Sequence, residues 1–232
     1  MIPAREVIYA FRQYYDRYDG KRSPTMDIRA QSFIIDQAIK KFIDSTLALA
    51  EIDSTRRENI RVLEKKGIFL QESGSTHNAV IYGLPEDHLQ TLNRSARISN
   101  QCGSRDVPLV LMQADDTNFA INNMYWKPSL EWEQAFCDEG EKGLYVFNGD
   151  FNVDSVIIDY YRKHVTFDCP SLADGGRYLR GGDTTMITTD TGLELPERTL
   201  DRIIQIAAML SEANNGDDRD LSVRIRAIMS VS

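Results

Sequence analysis

Apolar residues recur with a period of 3.6 at both ends of the chain and closer to two in its middle. Val7, Phe11, Tyr14 and Tyr18 fall at i, i+4, i+7 and i+11, which predicts an amphipathic helix over residues 3–19, with Pro3 at its start and Gly20 stopping it. Ser23-Pro24-Thr25 opens a second predicted helix to about residue 43. Its stripe is Ile28, Ile35, Ile39 and Phe42, widened by Phe33 and Ile34. A short polar loop joins the two, so they are expected to form an antiparallel αα-hairpin whose seam must be buried. Asp53-Ser54-Thr55 caps a short third helix over Arg56–Lys65, ended by Gly67.

Beyond Gly67 the alternation predicts strands at Ile68–Gln71 and Ala79–Tyr82, joined by the polar loop Glu72–Asn78. Pro85 suits the first turn of a short helix in Leu84–Leu89. Val107–Gln113 reads as a strand with Pro108 near its start, and Asp115-Asp116 as the cap of a short helix through Asn122. Leu130, Trp132, Gln134 and Phe136 alternate with Glu131, Glu133 and Ala135, the pattern of a half-buried strand. The strongest local signal is Asn148-Gly149 between Leu144–Phe147 and a β-rich run from Asp150 to Phe167, because a type I′ hairpin needs positive φ at both central residues. The second arm places Val156, Ile158 and Tyr160 on one face and Val153, Ile157, Tyr161 and Val165 on the other, so it is expected to be a central strand.

Residues 168–192 are rich in Gly, Asp and Thr and read as an extended arm or loop. Leu195-Pro196-Glu197 then starts a helix with Leu200, Ile203, Ile204, Ala207 and Leu210 at core spacing, ended by Asn214-Asn215-Gly216. Leu221, Ile225 and Ile228 mark a last short helix. The expected class is α+β: an N-terminal helical region (1–66), a central antiparallel β domain (67–167), the 168–192 arm and C-terminal helices packing on the body (193–232).

Composition narrows the function classes. A net charge of −8 disfavours nucleic-acid binding by the chain as a whole, leaving room only for a local basic patch. Cys102, Cys137 and Cys169 are widely spaced with no Cys-x-x-Cys, and read as reduced thiols of an intracellular protein. Arg5 and Glu6 stand where a signal peptide needs an apolar core, and no run approaches the length of a membrane span, so no membrane association is expected.

Candidate chemistry is thin. His77, His88 and His164 lie on a predicted loop, helix and strand without metal-ligand spacing, and read as surface or satisfied histidines. Asp115 and Asp116, with Glu131 and Glu133, are the one candidate acid–base or magnesium cluster, against their reading as helix caps and a solvated strand face. Arg177-Tyr-Leu-Arg180-Gly-Gly182 is a candidate phosphate- or RNA-binding patch, but no helix N-terminus follows directly, as a phosphate loop requires. Tyr14, Tyr15 and Tyr18 suit base stacking only if they are not helix contacts, and Trp126 and Trp132 read as packing anchors. No Gly-x-Ser-x-Gly or recognisable cysteine nucleophile occurs. The residues themselves thus point to no catalytic, cofactor or metal site.

Several stretches, in order, carry a resemblance: Arg5-Glu6-Val7 with the opening helices; Leu84-Pro85-Glu86-Asp87-His88-Leu89; Lys127-Pro128-Ser129-Leu130-Glu131-Trp132; Phe151-Asn152-Val153-Asp154 running into Asp159-Tyr160-Tyr161-Arg162-Lys163; and Glu194-Leu195-Pro196-Glu197. Over nearly the whole chain they resemble structural virion proteins of tailed bacteriophages, especially head–tail connector or ring (neck) proteins of crAss-like phages. His88 and His164 depart from that pattern, where Tyr and Pro are expected. The resemblance implies a non-enzymatic subunit of a symmetric, typically twelve-fold ring, with no cofactor, in the virion neck or tail after assembly in the host cytoplasm. It also implies, as partners, further copies of itself, the portal protein and adjoining neck or tail rings, with genomic DNA passing without specific binding. The alternatives are a phage metal-dependent hydrolase using Asp115, Asp116 and a histidine, or a nucleic-acid-binding accessory protein using the Arg177–Gly182 arm.

Overall fold

The structure, a computed structural model, describes residues 1–19, 26–50, 54–76, 78–101, 103–112, 127–179 and 186–213. Outside this set lie Gly20, Ser23-Pro24-Thr25, Asp53, His77, Cys102, Gln113, Asp115-Asp116 with the helix expected through Asn122, Trp126, Arg180-Gly181-Gly182, the Asn214–Gly216 stop and the last helix. So does the side chain of Tyr18. The chain is α+β, and it divides into two compact units: Met1–Val62 with His164–Ser232, and Leu63–Lys163. The N- and C-terminal segments, read from sequence as separate regions, therefore share one unit.

In the first unit, helices α1 (Ala4–Asp19) and α2 (Ile28–Ala50) follow the apolar stripes. The buried face of α1 is Val7, Ile8, Phe11 and Tyr15, with the Phe11 and Tyr15 rings stacked at 5.7 Å. It is rotated one residue from the expected stripe, and Tyr14 is only half-buried. On α2, Ile35, Ala38, Ile39 and Phe42 are buried as expected, but Phe33 is exposed. The helix runs past residue 43 because Leu47–Ala50 are strong helix formers and Thr46 bonds back to the Phe42 carbonyl at 2.7 Å. Helix α3 (Ser54–Ile60) ends in a 3-10 turn at Arg61–Leu63, short of the expected Lys65. Helix α4 (Leu200–Ala213) begins after a 3-10 turn at Glu197–Thr199 and buries Ile203, Ile206 and Ala207. Both α1 and α2 pack chiefly on α4, with Arg12 donating to Gln31 across the two at 2.9 Å, which revises the αα-hairpin. Among the described residues no helix is long and apolar enough to cross a membrane.

The 168–192 segment is not an extended arm over its described residues. Asp168 and Thr191 pair as an antiparallel bridge that closes its base, and two short strands, Tyr178–Leu179 and Met186–Ile187, pair with each other. Tyr178 is buried, and its hydroxyl donates to Asp168 at 2.8 Å while accepting the Cys169 N–H. Burial, with the Asp168 hydrogen bond, pushes that phenol up to about 12.

In the second unit, seven strands among the described residues close into a barrel: β1 (Glu64–Ser75), β2 (Ala79–Gly83), β3 (His88–Asn100), β4 (Gly103–Leu111), β5 (Ala135–Gly140), β6 (Gly143–Phe147) and β7 (Asn152–Arg162). The order around it is β1-β2-β6-β5-β4-β3-β7, with β7 pairing back onto β1, so no strand is left as an edge. The barrel is mainly antiparallel, as the sequence predicts, with β4 and β5 its one parallel pair among the described residues, but its strand order is not the expected meander. Leu70, Ala96, Ile98, Val107, Leu109, Cys137, Leu144, Val146, Val156, Ile158 and Tyr160 fill the interior.

Several local expectations fail here, each for a physical reason. Gly67 does not stop a helix; it lies inside β1 at φ +64°, at a bulge, with its N–H on Asp159 Oδ1 at 2.7 Å. Pro85 opens a turn into β3 and not a helix, the His88 N–H donating to the Pro85 carbonyl. Asn148-Gly149 does not form a β6–β7 hairpin. β6 pairs with β2 and β5, and β7 with β1 and β3. Gly149 has no positive φ; a Cβ there would run into the Pro128 carbonyl and the Phe151 ring, so the glycine serves close approach. β7 ends at Arg162, leaving Val165 exposed beyond it. Finally, Leu130–Glu133 is a turn and not a strand. Ser129 and Gln134 exchange both backbone hydrogen bonds around it, and Glu133 sits at φ +52°.

Candidate functional site

One end of the barrel gathers the β3 start, the β7 end, the β1 start and the β5 end, and their polar side chains meet there. Asp87 accepts from Lys65 Nζ at 2.6 Å and from the Tyr160 hydroxyl at 2.8 Å, so both its oxygens are engaged. Glu139 Oε1 accepts from Thr91 at 2.8 Å and from Arg94 at 3.1 Å. Because the Thr91 hydroxyl gives its proton to Glu139, His88 Nε2 must be the donor in the 2.9 Å bond between His88 and Thr91. The His88 ring tilts against Tyr160, and Lys65 Nζ lies 5.9 Å from the Tyr160 ring centre.

The electrostatics of this cluster favour holding over reacting. The Lys65 ammonium, helped by Tyr160, keeps the Asp87 carboxyl below the usual range, while Asp87 raises Lys65. Burial, with the Asp87 hydrogen bond, raises the Tyr160 phenol, and burial pushes His88 down. The Cys137 thiol is driven up to about 11 by burial despite Arg94 beside it, so it is a packing group and not a thiolate nucleophile. Asp87 and Glu139 each accept from two neighbours. The cluster ties the strands together at the barrel mouth. Tyr160→Phe is expected to cost about 1 kcal/mol by removing one hydrogen bond from a fully buried ring, read as a lower urea midpoint with the slope unchanged.

The residues singled out in the sequence are dispersed. His88 belongs to the barrel mouth, and His164 to the helical unit, where its Nε2 donates to Asp36 Oδ1 at 3.0 Å. Glu131 and Glu133 are exposed on the turn before β5, with Glu133 paired to Arg105, and not on a strand face. Arg177 is exposed beside the positive-φ turn Gly175-Gly176. Tyr15 is a core residue, and Cys137 and Cys169 are buried free thiols. Trp132 is no packing anchor: it is 73% exposed. Among the described residues no group of three or more His, Cys, Asp or Glu is placed to hold a metal ion.

Asp36, Asp87 and Arg94 were missed in the sequence. Asp36 did leave a signal, since a carboxylate set between Ile35 and Ile39 on a buried helical stripe needs partners. Other large apolar side chains standing in the open include Tyr9 and Phe33 in the helical unit, and Phe69, Val110 and Leu111 on the barrel. No protein-family model matches this chain, and no curated protein matches it.

Proposed function

We propose that this chain is a structural subunit of a bacteriophage head–tail connector ring, acting in the virion neck by assembly alone. The observation that carries the reading is the outward placement of aromatic side chains on both units: Tyr9 and Phe33 on the helices, Phe69 and Trp132 on the barrel. Exposed aromatic side chains of this size are the kind of anchor that a protein–protein contact uses. The polar groups of the barrel mouth, by contrast, are engaged with one another, as suits a scaffold. The order of motifs that resembles connector proteins supports the same reading, as does an acidic chain at −8, which suits a channel through which DNA slides without adhering.

In this role the subunit touches copies of itself by rotation-closing contacts, and touches the portal protein and neighbouring rings above and below. The exposed helix faces of the first unit supply packing surfaces for a neighbouring copy. Negative-stain images and native mass spectra of the expressed chain, alone and mixed with portal protein, are expected to contain closed rings of one copy number. A chain that remains monomeric in both settings ends the proposal.

A further inference from the structure

Every strand of the barrel has a neighbour on each side, but not along its whole length. β4 pairs with β3 from Gly103 to Pro108 and then changes partner, pairing with β5 from Leu109 to Leu111. Pro108, which has no N–H to donate, stands where the ladder to β3 ends. Among the described residues this leaves β3 from His88 to Arg94 with β7 as its one strand partner, and β5 from Asp138 to Gly140 with β6 as its one. A seam therefore parts the wall at the mouth, between the first half of β3 and the last half of β5.

Side chains bridge this seam. Glu139 reaches from β5 to Thr91 and Arg94 of β3, and Arg94 Nη1 also lies 3.9 Å from Cys137 Sγ. In a regular strand residues three apart point to opposite faces, yet His88, Thr91 and Arg94 share one hydrogen-bonded network. Two register shifts in the pairing of β3 with β7, between His88 and Gln90 and between Thr91 and Asn93, reset the alternation and allow it. The strand gives up regular pairing twice and aims three polar side chains at one place. The Arg94 and Glu139 side chains are 16% and 32% exposed, so water screens the bridge only in part.

We propose that this seam is the opening point of the barrel, with Glu139 as its latch. Where backbone ladders are missing, a few side-chain bonds set the free energy of local opening, which then lies below that of unfolding the domain. Release of Thr91 and Arg94 parts β3 from β5 and bares the unpaired backbone of β3, while the ladders joining β1, β2, β6 and β7 stay whole. Cys137 marks the event. It is the last residue of β5 paired with β4, it is fully buried, and its thiol donates to the Val110 carbonyl at 3.7 Å beside the latch.

Iodoacetamide labelling of the full chain, with each cysteine followed by peptide mass spectrometry, tests the latch. Native wild type is expected to alkylate Cys137 at a rate almost insensitive to low urea, the mark of local opening. A thiol reached only when the domain unfolds follows the full denaturant slope instead. Glu139→Ala is expected to speed Cys137 alkylation by about ten-fold or more, as the loss of hydrogen bonds to a charged group does, and to leave Cys169 unchanged. Glu139→Gln keeps the shape and one acceptor, so its effect is smaller, and it carries the test if the alanine variant does not fold. Amide exchange in the variants is expected to rise over residues 88–94 and 138–140 and not over β1 and β2. A wild-type Cys137 rate that follows the full slope, a rate that neither variant alters, or exchange that rises evenly around the barrel overturns the proposal.

Discussion

Asp36→Ala is expected to destabilise the helical unit by about 3–5 kcal/mol, read by urea unfolding, the range for breaking a buried charge pair by removing one partner. The Asp36 side chain is only 3% exposed on the core stripe of α2. Its Oδ1 accepts from His164 Nε2 and from the Phe167 N–H, each at 3.0 Å, and its Oδ2 from Lys40 at 2.9 Å. Three donors are what make a carboxylate tolerable at such burial. Truncation removes the acceptor that joins α2 to the 164–167 segment and leaves the His164 ring, 8% exposed, without its partner. Asp36→Asn preserves the shape and one acceptor, so its loss should be smaller.

The same group fixes an acid limit. Burial alone would raise the Asp36 carboxyl, but the hydrogen bonds from His164, Lys40 and Phe167 outweigh it and bring the group from 3.8 to about 2. A carboxyl depressed on folding contributes stability that is complete above its unfolded value and is lost as pH falls towards its folded one. Wild type is therefore expected to lose about 2 kcal/mol relative to Asp36→Asn between roughly pH 4 and pH 2. Parallel denaturant titrations of the two proteins across that window measure it, and a constant gap between them would disprove the linkage.

How far such features can be read from sequence depends on whether the cause is local. The helices α1, α2 and α4 were legible because a helix buries a stripe written into its own residues, although the α1 face turned by one position, from Tyr14 to Tyr15. β1 and β2 were legible as neighbours for the same reason, though β1 is longer at both ends. β3 was not legible: of His88–Asn100 only Ala96 and Ile98 reach the core, and its mouth half carries His88, Thr91 and Arg94 inside a polar cluster. Closure of the barrel is a statement about partners, and Asn148-Gly149 told only that the chain turns. The apparent alternation at Leu130–Phe136 failed because the Ser129–Gln134 pair closes a turn inside it and puts Trp132 outside. At the barrel mouth, sequence reasoning found His88 through its residue type. It did not find Asp87, whose importance comes from Lys65 and Tyr160, far away in the chain.

Gly143→Ala is expected to cost about 3 kcal/mol or more, whereas Asn148→Ala should stay within about 0.5 kcal/mol of wild type. The two-residue connection Glu141-Lys142, between paired Gly140 and Gly143, is the true tight hairpin, joining β5 to β6. Neither central residue has positive φ; Gly143 carries the unusual backbone instead, at φ +131°. A Cβ there would also drive into the Tyr82 carbonyl on the neighbouring strand β2, which is backbone and has little room to yield. Strain and clash thus act together at a buried site. Asn148 is exposed and contributes its backbone N–H to the Asn78 carbonyl, a bond that alanine keeps. Were Asn148-Gly149 a type I′ hairpin, the ranking would weaken or reverse, because Asn148 would then need positive φ and Gly143 would be an ordinary strand residue. Urea midpoints of the two variants, measured side by side, separate these arrangements.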